Sequence, residues 1–350
     1  MHGSKILIVG GSNSLRRDGW VSEFSAAYSG KAEIRNLSIG GASTVMGIYR
    51  SFFCDSINAG DTVVWEYALN DANFFEIGGC PVDLLLRHVE HLIRRCGQKG
   101  ARFVPIIMST LRQESRRSLD QYRAQLHFLF AHYGIEYFDV SFEMRRKLAI
   151  PALGREYYDD GNHYTLGGDA VAEVGQRLPG MIENARPIDI KTVRPLFVKP
   201  GVQVRLLNQF QNGEVQQFEN SVFKAVAHTP GRQPLVVTNN EYGSGTLTGL
   251  VVVTTSKGGV IDLQVGDEAF AISLVSDERS FRKPVLKFIT LASALGREVE
   301  LGSGSDVRIS WSEAEPPFHA DLGCSKSPQE AEIRNREAAV IGLMCELSRT

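Results

Sequence analysis

The chain has 350 residues, 43% of them hydrophobic and 22% charged. At roughly 100–200 residues per domain, that length predicts two domains rather than one core. Lys+Arg 38 against Asp+Glu 40 leaves a net charge of -2, which argues against a general polyanion binder, and the apolar content excludes a disordered chain.

Short apolar runs alternate with helical stretches through the first half. Ile6–Val9 reads as a strand, 18–28 as a helix, Glu33–Leu37 as a strand, 43–55 as a helix and Thr62–Tyr67 as a third strand. Residues 82–97 have helical spacing, with Leu85, Val89, Leu92 and Ile93 on one face. Arg102–Ile107 is a fourth strand, followed by a polar loop from Ser109 to Ser118, a helix over 119–132 and a short strand, Ile135–Phe138. Thr165 is expected to N-cap a last helix over 166–178. This alternation predicts an α/β fold, a parallel sheet covered on both faces. Such sheets bind ligands beyond the carboxyl ends of their strands, so functional residues are expected just after Val9, Leu37, Tyr67 and Ile107.

From residue 186 the texture changes. Pro187, Pro195 and Pro200 punctuate a linker. Val202, Val204 and Leu206, then Ile261, Leu263 and Val265, then Val307, Ile309 and Trp311 alternate with polar residues. That two-residue period predicts a β-sandwich or jelly roll of about 120 residues. The end of the chain, with Ile333, Ala338, Ile341 and Met344 spaced among charges, reads as a helix. The expected division is 1–185, 186–325 and a helical tail, 326–350.

Five scattered cysteines (Cys54, Cys80, Cys96, Cys324 and Cys345), with no CxxC pair, suggest reduced thiols in a cytoplasmic protein and no metal site. The apolar run at the N-terminus is too short for a signal peptide, and no segment approaches a membrane span, so no membrane partner is expected.

Four segments carry chemistry. Gly10-Gly11-Ser12-Asn13-Ser14 follows strand one, and its glycine pair lets the backbone turn sharply to put Ser12 at the sheet edge; the plain alternative is a glycine turn with a capping serine. In Asn36-Leu37-Ser38-Ile39-Gly40-Gly41, after strand two, Gly41 can present a bare N–H, or simply supply a positive φ. In Glu66-Tyr67-Ala68-Leu69-Asn70-Asp71, after strand three, Asn70 has an amide donor, or serves a turn. In Asp160-Gly161-Asn162-His163, the acid can accept from the His Nδ1–H and leave Nε2 free to take a proton from a serine; the alternative is a capping loop with a surface His.

Serine, glycine, asparagine and DxxH in this order resemble the SGNH (GDSL-like) hydrolases, a family of esterases and lipases, over about residues 5–180. The resemblance implies a three-layer α/β/α, flavodoxin-like domain. It implies Ser12 as nucleophile, His163 as base, Asp160 as its partner, and an oxyanion hole of Ser12 N–H, Gly41 N–H and Asn70, without cofactor or metal. Two positions depart from the family: Gly11 stands where an acid usually precedes the serine, and Ala68 where the third block has glycine.

Other residues have plainer readings. Arg16 and Arg17 can meet an anionic substrate or solvate a helix start; Trp65, Phe74 and Phe75 can line a pocket or fill the core. Arg112, Arg116 and Arg117 can form a lid or a charged loop. His88, His91, His127 and His132 lack a carboxylate at metal spacing, and His319-Ala320-Asp321 is too short a pattern. With no P-loop and no GxGxxG after strand one, neither nucleotide nor nucleic acid is expected. The expected function is a serine ester hydrolase acting on small-acyl or carbohydrate O-acetyl esters. The alternatives are an O-acyltransferase with a sugar acceptor and an inactive SGNH binding protein.

Overall fold

The computed structural model describes residues 4–115, 121–275, 283–314, 318–319 and 336–349. They form two compact units: Met1–Glu76 with Val82–Val198, and Ile77–Pro81 with Lys199–Thr350. The first unit runs through Val198 because Glu90 holds its last segment. That buried carboxylate accepts the N–H groups of Leu196, Phe197 and Val198, each at 2.7 Å.

The first unit is an α/β/α sandwich. Its elements are β1 (Lys5–Gly10), α1 (Trp20–Ala27), β2 (Glu33–Asn36), α2 (Thr44–Tyr49), β3 (Thr62–Glu66), α3 (Ala68–Glu76), α4 (Val82–Lys99), β4 (Arg102–Ile107), α5 (Leu111–Ser115), α6 (Gln121–His132), β5 (Phe138–Asp139), α7 (Val140–Leu148) and α8 (Asp169–Asn184). The strands pair in parallel in the order β2-β1-β3-β4-β5. Alternate residues serve opposite faces: Ile6, Ile8, Val64, Val104 and Ile106 share one core with Phe24, Val174 and Leu178 of α1 and α8. On the other face Trp65 packs against Phe103 and Phe130. Chain order reverses between β1 and β3, so the segments after those two strands flank the topological switch point.

Several expected boundaries move. Asn70 lies in the first turn of α3, not in a loop; Asp71 N–H donates to Tyr67 O at 2.8 Å. The last strand is Phe138–Asp139 rather than 135–138, because Ile135 N–H closes the end of α6 on Phe130 O after Gly134 at φ +62°. α7 lies outside the expected elements; the Asp139 side chain caps it by accepting from Phe142 N at 2.9 Å. Thr165 does not cap α8. Its carbonyl accepts from Gly168 N and its hydroxyl donates to Glu156 O, and the helix starts at Asp169 and continues through Pro179.

The second unit is a sandwich of two sheets. It contains β6 (Val202–Leu207), β7 (Glu214–Glu219), β8 (Lys224–Thr229), β9 (Leu235–Thr238), β10 (Gly245–Thr254), β11 (Val260–Val265), β12 (Glu268–Ser273), β13 (Val285–Thr290), β14 (Val299–Leu301), β15 (Asp306–Ser312), β16 (Phe318–His319) and β17 (Ala339–Ser348), with a short α9 (Leu291–Leu295). One sheet runs β13-β10-β17-β8-β7, with β14 and β6 paired at its side; the other runs β16-β12-β11-β15-β9. Leu250, Val252 and Leu343 of the first share a core with Ile261, Leu263 and Ile309 of the second.

The expected helical tail is corrected over 339–348: this segment is β17, buried and paired with β10 and β6. A register shift between Val251 and Val252 sets Gly342 and Val340 opposite them and leaves Ile341 over. The core-facing residues then fall at 338, 340, 343, 345 and 347. One step of three inside a two-residue alternation imitates helical spacing. Residues 326–335 of the expected tail lie outside the described residues.

Candidate active site

β1 ends on Gly10, and the chain turns through Gly11 into a single 3-10 turn, Ser12–Ser14. Ser12 is half-buried, while Asn13 and Ser14 are buried. Beneath the turn stands Glu66, the last residue of β3, in register with Gly10 and fully buried. Its Oε2 accepts the Gly11 N–H at 3.1 Å and the Ser14 hydroxyl at 2.7 Å. Burial pushes the Glu66 carboxyl up to about 7, although both of these bonds favour its ionised form.

His163 sits on a tight loop between the bridged pair Tyr158 and Tyr164, closed by Asp159 N–H donating to His163 O at 2.9 Å. Within it Asp160 Oδ1 accepts the N–H groups of Asn162 and His163, at 2.7 and 2.9 Å. Its Oδ2 lies 2.6 Å from His163 Nδ1, and His163 Nε2 lies 2.7 Å from Ser12 Oγ. Partial burial works upward on the Asp160 carboxyl, but the bonds from Asn162 and His163 outweigh it and hold it below its usual range. An ionised carboxylate only accepts, so Nδ1 carries the ring proton and Nε2 accepts from the Ser12 hydroxyl. The chain thus aligns carboxylate, imidazole and hydroxyl from residues 151 positions apart.

The other two blocks meet the same turn. A Cβ built on Gly11 would fall 2.1 Å from Asn70 Oδ1, so the Asn70 side chain lies against the backbone that leads into Ser12. A Cβ on Gly40 would stand 3.4 Å from Ser12 Cβ. Gly41 follows at φ +64°, exposed, with nothing within 4 Å of a Cβ position. Asp71 ties these blocks together. Buried at the start of α3, it accepts the Thr44 N–H (2.9 Å), the Thr44 hydroxyl (2.6 Å) and the Tyr122 hydroxyl (2.7 Å). Burial raises its carboxyl to about 6 against the pull of the Thr44 and Tyr122 bonds.

The remaining candidates lie elsewhere or are engaged. Trp65 is core, donating Nε1–H to Thr44 Oγ1 at 2.8 Å, while Phe74 and Phe75 are half-buried. Arg16 bonds to the His163 loop, Arg17 is exposed, and Arg112 pairs with Glu76 at 3.0 Å. Arg116, Arg117, Ala320 and Asp321 lie outside the described residues. His88 and His91 are buried in α4; His127 meets Asp139 at 3.1 Å and His132 meets Arg194 O at 2.8 Å. Among the described residues no group of His, Cys, Asp and Glu is arranged to hold a metal, and no helix is long and apolar enough to cross a membrane. Three residues outside the motif reading support the cluster: Glu66 bonds to the nucleophile turn, Asn13 to the His163 loop, and Asp71, next to Asn70, to Thr44 and Tyr122. Glu66 carried a visible signal, an acid ending the apolar strand Thr62–Glu66.

A parallel sheet of this order with helices on both faces gives the first unit a three-layer α/β/α, flavodoxin-like fold. Neither a protein-family model nor a curated protein matches the sequence. Among solved structures, 99% of this chain is similar to 92% of a two-domain esterase active on acetylated mannans, at 12% identity and a TM-score of 0.58. About half of the chain (50%) is similar to 98% of a lipolytic G-D-S-L family member from Veillonella parvula DSM 2008, at 15% identity and a TM-score of 0.40. Likewise 51% is similar to 95% of the acetylxylan esterase Axe2 from Geobacillus stearothermophilus, at 16% identity and a TM-score of 0.40.

Proposed function

We propose that the protein is a serine ester hydrolase in which Ser12 is the nucleophile, His163 the general base and acid, and Asp160 the carboxylate that orients and charge-balances the imidazole. The observation that carries this reading is the unbroken line from Asp160 Oδ2 through His163 to Ser12 Oγ, with contacts of 2.6 and 2.7 Å. A serine hydroxyl is a weak nucleophile until a base removes its proton as it attacks. His163 Nε2 takes that proton while Oγ bonds to the ester carbonyl carbon. The oxyanion is met by the Ser12 N–H, the Gly41 N–H and the Asn70 amide. Collapse expels the alcohol, which takes its proton from His163, and water activated by the same ring hydrolyses the acyl-enzyme.

The substrate class we propose is a carbohydrate O-acetyl ester. It is supported by the likeness over nearly the whole of both chains, β-rich unit included, to an esterase active on acetylated mannans. Purified protein is to be assayed on 4-nitrophenyl acetate and on acetylated oligosaccharides, beside Ser12→Ala. Acetate release that falls about 10⁴–10⁶-fold in Ser12→Ala supports the reading. Wild-type turnover in that variant sinks it.

A further inference from the structure

The His163 loop must be held in place from outside, because Asp160 belongs to the same loop and moves with it. Two residues, one in the nucleophile turn and one just beyond it, reach across to it. Asn13, adjacent to Ser12 and only 7% exposed, uses both ends of its amide: Nδ2–H donates to Asn162 O at 2.9 Å, and Oδ1 accepts Tyr164 N–H at 3.1 Å. Its two partners are the residues on either side of His163. Arg16, three residues on, donates Nη1–H to Tyr164 O at 2.8 Å and pairs through Nη2 with Asp159 Oδ2 at 2.5 Å. The segment carrying the hydroxyl therefore grips the backbone carrying the imidazole at three main-chain atoms and one carboxylate.

We infer that Asn13, supported by Arg16, is a positioning residue that fixes the His163 ring against the Ser12 hydroxyl. The inference rests on the triad reading above. An asparagine amide offers a donor and an acceptor on one rigid plane, so it satisfies a carbonyl and an N–H of one loop segment together. Without it nothing in the turn next to Ser12 fixes the main chain on both sides of His163. A displacement of about 1 Å at a reacting pair costs on the order of 10²-fold in rate.

The test compares Asn13→Ala, Asn13→Asp, Arg16→Ala and Arg16→Lys with wild type and Ser12→Ala. It reads kcat and KM on 4-nitrophenyl acetate, the rate of Ser12 labelling by a fluorophosphonate, and Tm. Asn13→Ala is expected to lower kcat about 10–100-fold with KM within about twofold, and to slow labelling by the same factor. Asn13→Asp fares no better, because its new oxygen faces the Asn162 carbonyl. Arg16→Ala loses several-fold, and Arg16→Lys recovers part of that. If Asn13→Ala fails to fold, the labelling rates of Asn13→Asp and the two Arg16 variants decide. Folded Asn13 variants with wild-type kcat and labelling, beside an inactive Ser12→Ala, overturn the inference while leaving the triad standing. A wild type that neither turns over nor labels at Ser12 overturns both.

Discussion

Asp160 grips His163 Nδ1 at 2.6 Å while 57% of its own side chain stays open to solvent. The acid of this pair is therefore held mainly by main-chain N–H groups within its loop rather than by a buried pocket. Water already screens its charge, so in the proposed triad its expected contribution is geometric, setting the tautomer and the ring plane, more than electrostatic. Asp160→Asn keeps the shape but offers an NH₂ to Nδ1, which favours the wrong tautomer. We expect kcat to fall about 10³–10⁴-fold, less than for Ser12→Ala, with KM little changed. Steady-state kinetics on an aryl acetate check this; a loss as deep as that of Ser12→Ala would mean the carboxylate charge dominates.

Asn70 reaches the nucleophile turn from the first turn of α3, and its amide is the only side-chain donor among the three proposed for the oxyanion. Asn70→Ala should cost about 10²–10³ in kcat, the usual loss for one such donor, while ground-state binding barely changes. The check is kcat and KM measured together: a rise in KM at constant kcat would assign Asn70 to substrate binding.

Glu66 supplies a pH-dependent prediction. Its carboxyl titrates near 4.5 in the unfolded chain and at about 7 in the folded one, chiefly because burial disfavours the charge. Between those values the native state keeps a proton that the unfolded state releases, so stability falls as pH rises through that window. The stabilisation is fully present below pH 4.5 and gone above about 7; the difference is roughly 3 kcal/mol at 1.36 kcal/mol per pKa unit. Glu66→Gln retains a carbonyl acceptor for Gly11 and Ser14 and abolishes this titration. Chemical denaturation from pH 4 to 8 should show the wild-type-minus-variant difference sloping across the window. A flat difference would show that Glu66 titrates alike in both states.

Much of this arrangement was legible in the sequence because local chemistry dominates there. The four parallel strands β1 to β4 are short apolar runs between helices, and the Ser12, Gly41, Asn70, Asp160 and His163 blocks follow strands or precede a helix at readable spacing. What was not legible depends on long-range pairing. The tail strand β17 hides behind its register shift at Ile341, and β5 begins late because Gly134 and Ile135 finish α6. The bonds from Asn13 to Asn162 and Tyr164 span 149 and 151 residues, beyond any local pattern. Glu66 and Asp71 looked like ordinary acids until burial gave each a hydroxyl and a main-chain N–H to hold.

The structure accounts for Gly11, the main departure from the SGNH pattern that the sequence resembles, by space rather than by backbone freedom. Its φ of -84° and ψ of -157° lie in extended territory open to any residue. What bars a side chain is Asn70, whose Oδ1 and Nδ2 would stand 2.1 and 3.0 Å from a Cβ. Asn70 is short and 8% exposed, so its amide cannot swing clear without leaving its place beside Ser12. Restoring an acid here by Gly11→Asp should therefore impair the proposed activity instead of improving it. We expect kcat to drop by about the 10²–10³ seen for loss of one oxyanion donor, and Gly11→Ala to share most of that loss. Because both changes act through one amide, Gly11→Ala combined with Asn70→Ala should cost little more than Asn70→Ala alone. Fully additive losses in that double-mutant cycle would show that Gly11 acts on the nucleophile turn directly, and Gly11→Asp at wild-type activity would show that the pocket has room for the acid after all.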